Sequence, residues 1–280
     1  MPAVFVLIWS TGFVVARYGM PYAPPIKFLC VRYALSAMCF LVWAWWSRAV
    51  WPSGWRQWRH LAVTGCLIQA GYLGGVWSAV KAGMGAGTIA LLVSLQPVLT
   101  AVWLSMTAAR VSRAQWAGLA LGFAGLVMVV WHKLHAGEVT AWNLSLAGLA
   151  LLSITIGTLY QKRFVEPCDV RTASAIQLLA SLLISLPLIA LEHESIVLHP
   201  HMIGAMLWSV FVLTLGGGSL LYLLIQRGAA TQVTSLFYLV PPTTAVMAWA
   251  LFDEPLTLAM LAGTALTAAG VALISRSSAR

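Results

Sequence analysis

The chain has 280 residues, is 61% hydrophobic and only 8% charged, and has a mean hydropathy of +0.89. A soluble domain of this length needs about a quarter of its residues charged, so a water-soluble enzyme or binding module is excluded. The net charge of +9 is read as loop Lys and Arg that set membrane orientation rather than as a nucleic-acid footprint.

Apolar runs taken in chain order predict ten membrane spans and an all-α membrane protein. The first runs over 2–16; it lacks the basic start of a signal peptide and is read as a retained helix. It is short, which a tilt, an interfacial start or a trimmed natural N-terminus would explain. The next four are expected at 28–46, 61–80, 87–107 and 115–131. A further five are expected at 142–160, 173–191, 203–225, 232–252 and 256–274. Ten spans of about 20 residues use roughly 200 positions, leaving only short loops.

One offset of 145 residues lays the second half of the chain over the first without a gap. Gly12 meets Gly157, Ser36 meets Ser181, Gly71 meets Gly216, Gly83 meets Gly228 and Pro97 meets Pro242. The run from Ala117-Gly118 to Gly125 meets Ala262-Gly263 to Gly270. Two five-helix units are therefore expected, 1–139 and 140–280. An odd number of spans inverts the second relative to the first around a central cavity, the build of an alternating-access machine.

Counting basic residues fixes the expected orientation. With the N-terminus inside, the inner side collects Arg48, Arg56, Arg59, Arg110, Arg113, Lys162, Arg163, Arg171, Arg227, Arg276 and Arg280. The outer side collects only Arg17, Lys27, Lys81 and Lys133. That bias places both termini of a multi-pass protein in the cytoplasm; the expected location is the bacterial inner (plasma) membrane. Cys30, Cys39, Cys66 and Cys168 form neither a disulfide framework nor a zinc spacing. No cofactor or metal is expected, and Glu192, His193, Glu194, His199 and His201 are read as a solvated outer loop.

Several short motifs then add a family resemblance. Trp9-Ser10-Thr11-Gly12-Phe13, Pro24-Pro25 followed by Arg32, Leu95-Gln96-Pro97, Leu239-Val240-Pro241 and Asp253-Glu254-Pro255-Leu256 occur in order. Together with the two Ala-Gly repeat endings they resemble the drug/metabolite transporter superfamily, specifically its ten-helix EamA-type exporters. The chain is most similar there to the aromatic amino acid exporter branch. The resemblance implies a cavity lined by spans 1, 3, 4, 6, 8 and 9 and export of small metabolites, often amino acids. One departure stands out. Where the first repeat should carry a glutamate near Ala109 it reads Ala109-Arg110-Val111-Ser112, so Glu254 has no counterpart.

Polarity within the spans sorts lining helices from scaffold. Gln69, Tyr72, Trp77, Ser94, Gln96, Tyr160, Tyr222 and Tyr238 are the candidate substrate-binding residues. Aromatic, amide and hydroxyl groups at lipid depth can orient an ammonium, a carboxylate or a ring. Trp77 and Tyr160 lie nearer span ends, where gate or belt positions compete, and hydroxyls such as Ser94 often bond their own helix. Gly71, Gly74, Gly75, Gly216, Gly217 and Gly218, with Pro97, Pro241 and Pro242, are candidate hinges or points of tight packing. Spans 5 and 10, rich in Gly and Ala, read as packing scaffold, with a dimer face as the alternative. Arg32, the one intramembrane charge, is read as a structural arginine bonded to helix-end carbonyls or snorkelling outward; the alternative is a hold on a substrate carboxylate.

All seven acids lie in loops or at span ends. Amino-acid export is the expectation that the resemblance implies; a lipophilic-cation exporter would need a buried carboxylate, which makes multidrug export the alternative. No metalloprotease, nucleophile-elbow or phosphate-loop motif appears, which argues against a membrane enzyme, the second class of reading; the duplicated, hinge-bearing halves argue against a simple channel, the third. The expected partners are the lipid bilayer and a small-molecule substrate, with no nucleic acid.

Overall fold

The computed structural model describes residues 2–107, 113–135, 137–218, 220 and 239–278. Among these there is helix and no strand. The elements are α1 (Pro2–Gly19), α2 (Pro25–Trp46), α3 (Trp55–Gly65), the π-helix π1 (Cys66–Leu73), α4 (Gly74–Lys81), α5 (Ala86–Val93) and α6 (Gln96–Thr107). There follow α7 (Arg113–His135), α8 (Ala141–Phe164), α9 (Val170–Ser185), a 3₁₀ turn (Leu186–Leu191), α10 (Pro200–Leu207), π2 (Trp208–Gly217), α11 (Val240–Phe252) and α12 (Leu258–Ser278). Among the described residues six helical runs are long and apolar enough to cross a bilayer: 25–46, 55–81, 116–135, 141–164, 170–191 and 200–217. Shorter apolar helices cover 86–100, 240–252 and 258–270.

The outside is apolar, and polar groups are buried within a largely hydrophobic core. Phe123, Leu152, Leu183, Val246 and Leu261 are exposed, whereas Ser10, Arg32, Thr64, Ser153, Thr155 and Thr244 are buried. Lipid solvates the first set, and only protein partners can satisfy the second. Trp45, Trp46, Trp51 and Trp55 are exposed where α2 ends and α3 begins, with Trp51 stacked on Trp58 at 5.6 Å; amphipathic rings of this kind mark a bilayer interface.

The expected boundaries shift for identifiable reasons. The first span continues to Gly19. The third starts at Trp55 rather than 61, because Arg56 and Arg59 ride on an exposed first turn that a hydropathy reading discards. The fourth is two helices, broken at Ser94-Leu95, because Pro97 has no N–H for the Val93 carbonyl. The seventh ends in 3₁₀ geometry at Pro187 for the same reason. Pro241 and Pro242 open α11, where a missing N–H costs nothing in helical bonding.

Packing follows the 145-residue offset. The most extensive helix pair is α7 with α12, and next is α2 with α9. A Cβ added at Gly125 would lie 2.5 Å from the Gly263 carbonyl oxygen, and one at Gly270 would lie 2.4 Å from that of Gly118. The small-residue stripes therefore bind each other within one chain, antiparallel, as scaffold. α8 lies against π1, α4 and α3, and α1 lies against α11 and π2.

Candidate functional site

The two π-helices shape the interior. Adding a residue to a helical turn leaves backbone groups free for other partners. Gln69 in π1 offers its carbonyl to the Tyr33 hydroxyl at 2.7 Å. Thr214 in π2 donates to the Ser209 carbonyl at 2.8 Å and accepts from Arg32 Nε and Nη2 at 3.3 and 3.1 Å. Gln69 and Thr214 are the same position under the 145-residue offset, and neighbouring residues of α2 take hold of both.

Arg32 is 6% exposed, and its guanidinium lies 5.9 Å from the Trp77 ring centroid. Neither preferred sequence reading holds: among the described residues it bonds no helix-end carbonyl, and it does not reach the surface. Trp77 is 1% exposed and stacks on Phe28 at 4.5 Å, which removes it from any interfacial belt. Tyr72 is buried beside it in the same core, and the Gln69 side chain is half-buried.

Gln96 opens α6 at the helix break and donates from Nε2 to the Thr158 hydroxyl at 3.1 Å, tying α6 to α8. Ser94 donates to the Leu91 carbonyl of its own helix at 2.6 Å. Tyr160 lies at the far end of α8, its hydroxyl 2.7 Å from His60 Nδ1 and its ring against Phe164. Here a cleft of about 230 Å³ is lined by Arg56, Gln57, His60, Arg163 and Glu166. The structure thus gathers Gln69, Tyr72 and Trp77 around α2, and separates Tyr160 from them. Tyr222 and Tyr238 lie outside the described residues.

Among the candidate hinges, Gly71 and Gly75 are close-packing points. An added Cβ would meet Ser153 Oγ at 2.7 Å in the first case and the Leu146 carbonyl at 2.7 Å in the second. Gly74 and Gly218 have open space, with at most one contact at 4.0 Å, while Gly216 and Gly217 are moderately crowded at 3.3 Å.

The opposite end of the bundle is sealed by residues that the sequence reading left as loop. Tyr22 stacks on His199 at 4.0 Å, and Tyr18 contacts Phe252 at 4.8 Å and His201 at 5.6 Å. Lys81 pairs with Glu194 at 2.6 Å. Glu192 accepts from the Ile26 and Lys27 N–H groups, both at 2.8 Å, capping α2. Glu254 accepts from the Ala86 N–H at 3.0 Å, and Glu138 accepts from the Gly85 N–H at 3.1 Å while pairing with buried Lys133. Two carboxylates thus meet the positive end of α5. Their signal was an acid just before or after an apolar run, but the helix each one caps is not a sequence neighbour.

Asp169 caps α9 next to the cleft end. Arg171 donates to it from Nε at 2.9 Å and from Nη2 at 2.5 Å. These bonds hold the Asp169 carboxyl below the ordinary value of 3.8. A depressed carboxyl stabilises the fold fully above its unfolded value and ceases to as pH falls through the folded one. The stability gap between the parent and Asp169→Asn should therefore narrow from about pH 6 to about pH 3 in chemical denaturation of the detergent-solubilised protein. A gap independent of pH would contradict the pairing.

Comparisons with known proteins agree with this architecture. The EamA-like transporter family matches twice, at residues 3–131 and 141–276. A "Probable amino-acid metabolite efflux pump" of Salmonella typhimurium is 27% identical, covering 95% of this chain and 90% of its own length. An "Uncharacterized inner membrane transporter YedA" of Escherichia coli K12 is 24% identical, covering 86% and 78%. A solved crystal structure shares the fold with a TM-score of 0.67 at 16% identity, covering 100% of this chain and 97% of that one. Helices long and apolar enough to span a bilayer, and a family match over 3–131 and 141–276, place this chain in the EamA-like transporter family of membrane transporters.

Proposed function

We propose that the protein exports small polar or zwitterionic metabolites, amino acids including aromatic ones, by alternating access. The observation that carries this reading is the interior itself: Arg32, aromatic, amide and hydroxyl groups line it, and every acid of the chain lies at a helix end or in a loop. A neutral-to-positive interior suits a carboxylate-bearing zwitterion. It opposes a lipophilic cation, which makes multidrug export the weaker alternative.

The machine is read as two inverted five-span halves, 1–139 and 140–280, with both termini at the cytoplasmic face of the inner membrane. Support comes from the antiparallel pairing of the two Ala-Gly stripes, from the two π-helices at overlapping positions under the offset, and from the duplicated family match. Gly74 and Gly218, the loosely packed members of the glycine sets, and the proline breaks at 97 and 241–242 are the assigned hinges. The name of the Salmonella typhimurium relative, an amino-acid metabolite efflux pump, supports amino-acid-type cargo.

Purified protein in vesicles should move radiolabelled amino acids without a pH gradient. Tyr72→Phe and Gln96→Ala should each lower that flux roughly fivefold, the loss of about one hydrogen bond, with folding intact. Proton-driven flux of lipophilic cations alone would establish the alternative, and consumption of substrate without movement would replace transport by an enzyme.

A further inference from the structure

Burying a guanidinium in a bilayer protein normally requires a carboxylate partner, because an unpaired buried charge is costly. Arg32 has none within reach, and the sequence cannot provide one. The chain has seven Asp and Glu residues, and none lies in the segments outside the described residues. Glu138 pairs with Lys133, Asp169 with Arg171 and Glu194 with Lys81. Glu192 caps α2, Glu254 caps α5, Glu166 meets Gln57 through its backbone, and Asp253 ends α11. Arg32 instead has one neutral hydroxyl, which engages Nε and Nη2, and the face of Trp77. Its Nη1 bonds no described residue.

A second observation falls in the same place. Ser36 lies one turn further along α2, and Ser209 is the residue whose carbonyl takes the Thr214 proton. Both hydroxyls are 0% exposed and have no hydrogen-bond partner. Unsatisfied hydroxyls on the two elements that hold an uncompensated cation, α2 and π2, are what a binding place for an anion leaves behind when read from the protein side alone.

Building on the export reading, we infer that Arg32 is the anion-holding group of the transport pathway, and that the exported molecules carry a carboxylate which docks on the guanidinium edge left free by Thr214. Planar N–H donors match a carboxylate in two-point geometry, and Trp77 holds the guanidinium plane in position. The carboxylate supplies the charge the fold withholds, so the site is neutral when loaded and positive when empty. That difference selects anionic and zwitterionic cargo and repels amines.

The test uses full-length protein in vesicles and compares L-phenylalanine with L-phenylalaninamide, which lacks the carboxylate. Arg32→Gln should lower phenylalanine flux about tenfold or more, Arg32→Lys should retain part of it, and neither should reduce amide flux. Unchanged phenylalanine flux in Arg32→Gln, or equal loss for both compounds, overturns the inference. Should Arg32→Gln fail to fold, the unsubstituted protein is treated with phenylglyoxal and Arg32 modification is read by mass spectrometry. Protection by phenylalanine but not by phenylalaninamide supports the assignment. Equal protection, no protection, or an Arg32 that never reacts overturns it. The two readings fail separately. Wild-type amino-acid flux indifferent to Arg32 removes this inference only, and absence of any amino-acid flux alongside carboxylate-dependent protection removes amino-acid export but keeps the anion site.

Discussion

Gly270→Val is expected to destroy the folded transporter. The new Cβ would lie 2.4 Å from the Gly118 carbonyl oxygen, 2.6 Å from the Gly122 nitrogen and 3.1 Å from the Gly122 Cα. These are backbone atoms, so no rotamer change relieves the contact, and α7 and α12 must separate. The two helices form the largest interhelical contact of the described residues. Lipid supplies no hydrophobic drive to hold them together at a distance, since their stability comes from close packing. The cost is about 3 kcal/mol or more, the upper range for overpacking. Fluorescence-detected gel filtration in mild detergent should show the monodisperse peak replaced by aggregate. Gly148→Ala is the matched control: nothing lies within 4 Å of its added Cβ. It sits inside α8, where alanine is favoured by about 1 kcal/mol over glycine. A Gly270→Val protein that elutes and melts like the parent would show that the helices do not approach as described.

The second large effect concerns the sealed end. Tyr22 and His199 stack at 4.0 Å across a separation in sequence that joins the two proposed halves. The Val197 N–H also donates to the Tyr22 carbonyl at 2.8 Å. If access alternates, this contact must open once per cycle. A Tyr22→Cys/His199→Cys pair, placed in a chain whose own four cysteines are replaced, should be joined by a short bifunctional thiol reagent. Vesicle flux should then fall to background, and each single-cysteine control should keep its activity after the same treatment. Reduction of a cleavable linker should restore flux. Full activity with the pair joined would mean that the sealed end never opens, and transport would need another route. The prediction concerns a gate rather than the pocket, since neither residue touches Arg32.

These two results depend on different parts of what the sequence can reveal. The Ala-Gly stripes were visible as repeats, and packing was their expected role. The residues they face were not, since partners 145 positions apart are brought together only by the fold. Gln96 and Tyr72 were legible as polar groups in apolar runs. For Trp77 the sequence left a binding role, a gate and an interfacial belt open, because position along a span does not tell which side of a helix is buried; its burial removes the belt. The Arg32 reading failed for a related reason: bonding to carbonyls or snorkelling are local options, whereas its actual partner lies 182 residues away in π2. The π-helices had no signal of their own. The glycines around them were noticed, but a one-residue expansion of a helical turn does not alter hydropathy.

Composition and periodicity by themselves determined that this chain lives in a bilayer, that it is helical, that it repeats itself, and that its acids stay at the ends. Each of those is a sum over individual side chains and their cost of transfer into lipid, so no knowledge of neighbours is needed. Only the tertiary structure decided which helices touch, which carboxylate caps which helix, and that one buried arginine lacks a negative partner. In lipid these choices rest on shape and on hydrogen bonds between distant segments, and neither is written in any local stretch of the chain.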